Sequence, residues 1–189
     1  MTSRAPAALP QIEARAAAIG FSTSSDPKMG ALLAALAASK PGGRILELGA
    51  GVGVGSAWLL HGMDPSASLL SIDTYAAVLS VAREVLGADE RVQFAIADAG
   101  TMLAQAPPAI YDLVFADTWS GKFSHLDEAL AALKPGGVYV VSDLSPRPDW
   151  PAGHQSTVDA YLAALAARDD LAIAHTGWAS GVLIAAKRA

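Results

Sequence analysis

The sequence predicts an α/β fold: a seven-stranded, mostly parallel sheet with helices on both faces and an antiparallel hairpin at its C-terminal end. Three observations carry this. From residue 44 onward, short β-rich runs alternate with segments whose apolar residues recur at three- and four-residue spacing. A glycine cluster, Gly49-Ala50-Gly51-Val52-Gly53, directly follows the first of those runs. The last two runs are joined by a connection around Gly177-Trp178 that is too short for a parallel crossover.

Taken in order, Met29, Leu32, Leu33 and Leu36 mark an amphipathic helix before the first strand, and a weaker helix spans Gln11 to Ala18. Strands are predicted at Arg44–Leu48, Leu69–Ile72, Val92–Ile96, Leu113–Ala116, Val138–Val141, Ala172–Ala174 and Val182–Ala185. A helix begins near Val54, after the glycines. Val78, Leu79, Ala82, Val85 and Leu86 line a further helical face, as do Leu126, Leu130 and Leu133. Val158, Tyr161, Leu162 and Leu165 line the last helix, heralded by Ser156 and Thr157. Lys-Pro-Gly-Gly occurs at 40–43 and 134–137, each copy ending a helix before a strand. The length of 189 residues suits one domain, with an N-terminal helical cap at 1–43 and a core at 44–189.

Composition narrows the function. The apolar fraction of 52% and charged fraction of 16% suit a packed core. A formal charge of −5 and the lack of a Lys/Arg run give no reason to expect nucleic acid or an anionic membrane as partner. Without cysteine there is no disulfide, thiolate ligand or thiol nucleophile. No secretory leader and no apolar stretch of membrane-spanning length is visible, so a cytoplasmic protein is expected.

A tight glycine turn at the C-terminal edge of a parallel sheet is where nucleotide-like cofactors sit. Spacing separates the candidates. A dinucleotide fingerprint would place glycine at position 54, where Val54 stands. The arrangement Glu47-Leu48-Gly49-Ala50-Gly51-Val52-Gly53 instead resembles the cofactor loop of class I S-adenosylmethionine-dependent methyltransferases, whose fold is Rossmann-like. The resemblance implies S-adenosyl-L-methionine as cofactor, with Gly49, Gly51 and Gly53 shaping its loop. It implies further roles at successive strand ends: Asp73 accepting both ribose hydroxyls, Asp98-Ala99 holding the adenine amine, and Asp117 closing the fourth strand. Glu47 either orders the loop or meets the ammonium of the methionine moiety. Each acid also has a plainer reading as a turn or helix-cap residue. Leu133-Lys134-Pro135-Gly136-Gly137 before an apolar strand is a further family feature.

Within that class the chain resembles the catechol and caffeoyl-coenzyme A O-methyltransferases. Phe21-Ser22-Thr23-Ser24-Ser25-Asp26-Pro27 is similar to the segment that covers the cofactor there, and Ser25 or Asp26 also suits the cap of the 28–39 helix. Tyr111-Asp112-Leu113-Val114-Phe115-Ala116-Asp117-Thr118-Trp119 is similar to the fourth-strand motif. Those enzymes hold a divalent metal, such as Mg²⁺, with two acids and an adjacent Asn. Asp117 and Asp143 match the acids, but Leu144 stands where the Asn would be and offers no oxygen. The lysine three residues after the first acid is Ser120 here, with Lys122 two further on.

Methyl transfer from a sulfonium is an in-line displacement, and a phenol attacking through its oxygen needs a base or a cation to become phenolate. The candidates are Asp117 and Asp143 flanking the methyl, with His154 or Lys122 assisting. His125 is a weaker candidate base. His154 also reads as an ordinary helix-start histidine. Trp119, Trp150 and Trp178 fall on loops expected near the site, whereas Trp58 reads as packing. The expectation is an S-adenosylmethionine-dependent O-methyltransferase of a small molecule, with a homodimer in keeping with related enzymes. The rivals are N- or C-methylation, an NAD-dependent oxidoreductase, and a cofactor-binding module without catalysis.

Overall fold

A computed structural model describes residues 4–22, 26–148 and 150–189. Its seven strands are β1 (Arg44–Leu48), β2 (Ser68–Asp73), β3 (Val92–Ile96), β4 (Tyr111–Ala116), β5 (Leu133–Val141), β6 (Leu171–Thr176) and β7 (Val182–Lys187). They lie side by side in the order β3-β2-β1-β4-β5-β7-β6. The first five are parallel, whereas β7 runs antiparallel to both β5 and β6. The hairpin forms because residues 177–181 suffice for a reversal but not for a crossover.

Successive side chains of a strand face opposite ways, and the central strands are apolar on both sides. Ile45, Leu113 and Phe115 face one layer, where helices α1 (Leu9–Ala18), α2 (Pro27–Ala38), α3 (Val54–Gly62) and α4 (Ala76–Leu86) pack. Leu46, Leu48, Val114 and Ala116 face the other, covered by α5 (Ala99–Gln105), α6 (Leu126–Ala132) and α7 (His154–Ala166). Because β1 and β4 are central neighbours and diverge at their C-terminal ends to opposite faces, a crevice opens there.

Several boundaries differ from the sequence reading. Helix α5 was not expected: its seven residues carry no apolar repeat, and its start depends on the Asp98 side chain accepting the Thr101 N–H at 2.7 Å. Helix α7 begins at His154, ahead of Ser156 and Thr157. Both hydroxyls lie inside the first turn and donate to the Gly153 carbonyl, so neither caps the helix from outside. The second Lys-Pro-Gly-Gly lies within β5, whose pairing opens at 133 and shifts register between Tyr111 and Leu113. The α2 cap is Asp26, accepting from the Lys28 N–H at 2.8 Å; Ser25 lies outside the described residues. Among the described residues no helix is long and apolar enough to cross a membrane.

Candidate active site

The β1–α3 turn shows why this segment carries three glycines. Gly49, Gly51 and Gly53 all have positive φ, at 92°, 52° and 94°. The Gly49 and Ala50 N–H groups both donate to the Ile72 carbonyl at 2.9 Å, tying the turn to β2. A Cβ at Gly49 would sit 2.7 Å from the Asp117 carbonyl oxygen, and one at Gly53 2.7 Å from the Ala82 Cβ on α4. Gly51 differs, for a Cβ there would meet nothing nearer than Phe21 at 3.9 Å. Its backbone is therefore open to a ligand while its neighbours' are closed by packing.

A cleft of about 500 Å³ opens over this turn. It gathers Glu47, Gly49, Gly51, Asp73, Asp98, Ala99 and Asp117 from the ends of four adjacent strands, with Phe21 and Ser22 on one rim and Tyr75 and Trp119 at its edges. Gly53 is not on its wall and serves the α3–α4 contact instead. Asp73 is held by the chain it faces: Oδ2 accepts the Gly51 N–H and Oδ1 the Tyr75 N–H, both at 2.9 Å. The carboxylate is thus aimed before any ligand arrives. Asp98 Oδ1 caps α5 through the Thr101 N–H and hydroxyl, which pull its pKa below the usual carboxylate value.

Glu47 sits at the floor, 1% exposed, accepting hydrogen bonds from the Ser56 and Ser71 hydroxyls. Burial pushes its pKa up to about 7 despite those donors, with Asp117 and Asp73 adding to the rise. Neither serine was anticipated from the sequence. They lie on α3 and β2: the register pairing Glu47 with Ser71 brings in the one, and the glycine turn that folds α3 back over β1 brings in the other.

Asp117 ends β4, opening onto the cleft. Its Oδ1 accepts the Ser142 hydroxyl at 2.8 Å, yet burial and nearby Asp143 hold its pKa above the ordinary value. A narrow recess of about 30 Å³ branches off beside it, lined by Asp26, Met29, Trp58, Phe115, Asp143 and Ser180 among others. Asp143 has φ +56° and lies 4.0 Å from the Arg147 guanidinium. Lys122 and His154 line neither space. Lys122 is 6% exposed, its ammonium donating to the Ser142 carbonyl at 2.6 Å, and burial depresses its pKa against the pull of Asp117 and Asp143. The His154 ring lies among aromatic neighbours, 4.3 Å from Trp150, 5.6 Å from Phe123 and 6.3 Å from Trp119. His125 packs over Gly100 on α5. Trp58 is buried in the α2–α3 core, Trp150 packs beside His154, and Trp178 is exposed on the hairpin turn. Only Trp119 of the tryptophans lies on the main cleft.

Residues 39–176 match the family of methyltransferase domains. A Mycobacterium marinum protein provisionally named an O-methyltransferase is 33% identical over 171 residues, covering 85% of this chain and 76% of that one. This chain belongs to the class I O-methyltransferase family. It spans about half the length, 54%, of other mycobacterial members, such as one from Mycobacterium tuberculosis with 34% identity over 120 residues. Among solved members, an O-methyltransferase of Streptomyces achromogenes involved in tomaymycin synthesis, in complex with S-adenosylmethionine, superposes with a TM-score of 0.83 and 24% identity, covering 98% of this chain and 92% of that one. A Bacillus cereus O-methyltransferase in complex with S-adenosylhomocysteine gives 0.82 and 18%, covering 96% and 90%. This chain therefore has the fold expected from its glycine turn.

The family's divalent metal was tested against the residues present. Leu144 is 2% exposed within the core and offers no oxygen where a third ligand is called for. Among the described residues no group of three or more His, Asp or Glu is arranged to hold a metal ion. The residues do not fit the metal.

Proposed function

We propose that this chain is an S-adenosylmethionine-dependent methyltransferase acting on the oxygen of a small molecule. The observation that carries the reading is the ring of acids, Glu47, Asp73, Asp98 and Asp117, at the ends of four neighbouring strands around one glycine-floored cleft. The cofactor, when bound, supplies an electrophilic methyl on a sulfonium. Gly51 lets its backbone approach the ligand, and Asp73 offers a carboxylate already oriented by two N–H groups toward a ribose diol. Asp98 presents an ionised carboxylate to an exocyclic amine at the far wall. Glu47 and Asp117 place carboxyl groups nearest the positive end of the ligand, and a sulfonium there would favour their ionised forms over the protonated ones that burial favours. The acceptor is inferred to meet the methyl on the side of the cleft where Asp117 and Trp119 stand. The absence of a Lys/Arg run gives no reason to expect a nucleic-acid acceptor.

Calorimetric titration with S-adenosylmethionine and with NAD, followed by a methyl-transfer assay on phenols, amines and acids, tests this. The expected result is binding of the first ligand only and turnover on a hydroxyl acceptor. Asp73→Ala is expected to weaken cofactor binding on the order of 100-fold, about 3 kcal/mol, from two lost charge-assisted bonds. Unchanged affinity in that variant would remove Asp73 from the site.

A further inference from the structure

The two acids that would hold a metal in related enzymes are surrounded, in this chain, by positive charge of its own. Lys122 approaches from inside. The turn that carries it is anchored at several points: the Trp119 carbonyl accepts the Lys122, Phe123 and Ser124 N–H groups, and the Tyr139 hydroxyl donates to the Gly121 carbonyl at 2.5 Å. The ammonium is thereby fixed on the Ser142 carbonyl, 5.0 Å from the centre of the Phe123 ring. Ser142 links it onward, its hydroxyl donating to Asp117 Oδ1. Arg147 approaches Asp143 Oδ1 from the rim at 4.0 Å.

Two consequences follow for a divalent ion. A hard cation needs several oxygen ligands and a net negative site. Here the Lys122 ammonium already donates to the Ser142 carbonyl and the Ser142 hydroxyl to Asp117 Oδ1, so a cation arriving there meets an ammonium beside its nearest oxygens. Lys122 and Arg147 bring positive charge close to Asp117 and Asp143, which lowers the net attraction for a further cation.

Building on the methyltransferase reading, we propose that the Asp117–Asp143 pair is neutralised internally by Lys122 and Arg147, so that this site takes no divalent cation and methyl transfer proceeds without one. Lys122 is then a positioning residue, buried too deeply to touch the acceptor, which sets the charge that the acceptor oxygen meets.

The test is Mn²⁺ binding, followed by its paramagnetic resonance signal, on the full chain alone and with excess S-adenosylhomocysteine. The wild-type chain is expected to show no saturable binding up to millimolar Mn²⁺, and turnover on any acceptor found is expected to survive a chelator. Lys122→Met frees the Ser142 carbonyl and unbalances the acids, so Mn²⁺ affinity should rise at least tenfold. Arg147→Gln, on a half-exposed side chain that does not threaten the fold, should give a smaller gain, about threefold. Micromolar Mn²⁺ binding by the wild type, loss of turnover on chelation, or no gain in either variant would overturn the proposal. Cofactor titration keeps the two readings apart. A chain that ignores both S-adenosylmethionine and Mn²⁺ refutes the methyltransferase assignment but not the charge balance. One that binds both refutes only the latter.

Discussion

Asp98 receives the Thr101 N–H and hydroxyl on one oxygen while facing the cleft, so its structural and ligand-binding duties can be separated by substitution. Asp98→Asn keeps an acceptor for the cap but loses the charge. Its urea midpoint should stay at the wild-type value while cofactor affinity falls. Asp98→Ala should lower the urea midpoint as well, through the lost cap. Urea denaturation beside calorimetry on both variants distinguishes these outcomes. Glu47 makes a pH prediction. Its folded pKa of about 7 exceeds the ordinary value of 4.5, so the folded chain holds this proton more tightly than the unfolded one. The associated stability is full below pH 4.5, falls as pH rises, and is lost above pH 7, a difference of roughly 3 kcal/mol. Glu47→Gln should remove most of the fall in urea midpoint between pH 5 and pH 7. An unchanged slope would place the titrating group elsewhere.

At the scale of elements, α2 and α3 approach closely enough that each contributes a glycine to the crossing. A Cβ at Gly62 would run into the Ala34 backbone, and one at Gly30 into the Trp58 indole. Backbone cannot step aside as a flexible side chain can. Gly62→Ala should therefore destabilise the chain by about 3 kcal/mol through overpacking, measured by chemical denaturation. The same crossing sets the width of the recess, since Met29, Leu33 and Trp58 line it from the two helices. Element prediction from sequence worked where burial was two-sided. The central strands are continuous apolar runs because helices cover both faces, and their cores were found, though β2, β4, β6 and β7 extend by one to three residues into mixed sequence. Helix α5 escaped notice because Ala99-Gly100-Thr101-Met102-Leu103-Ala104-Gln105 has no apolar stripe to read. Its one local signal is Asp98, which at a strand end suits a cap, a turn or a ligand contact equally and so does not by itself mark a helix.

Across the whole molecule, the main cleft joins β1, β2, β3 and β4 with the Phe21–Ser22 segment, so a ligand there bridges several elements at once. A ligand that binds only the folded state adds about 2.7 kcal/mol at a concentration 100 times its dissociation constant. For a chain of 189 residues this corresponds to a rise of roughly 5–10 °C in Tm. Thermal denaturation with S-adenosylhomocysteine should show that rise, and with NAD none. A flat response to the first would count against the proposed cofactor.

The glycine spacing, the acids closing successive strands and the short final connection are local properties. They prescribe the fold and point to the cofactor end of the cleft, because turn conformation and strand ends are set within a few residues. The surroundings of each charge were decided only by tertiary structure. Ser71 reaches Glu47 through strand register and Ser56 through the packing of α3 on the sheet, Ser142 joins Lys122 to Asp117 across two strand ends, and His154 is drawn among aromatic rings away from the cleft. Desolvation and hydrogen bonding depend on what packs around a group in three dimensions, and neighbours far apart in the chain leave no periodic trace in its sequence.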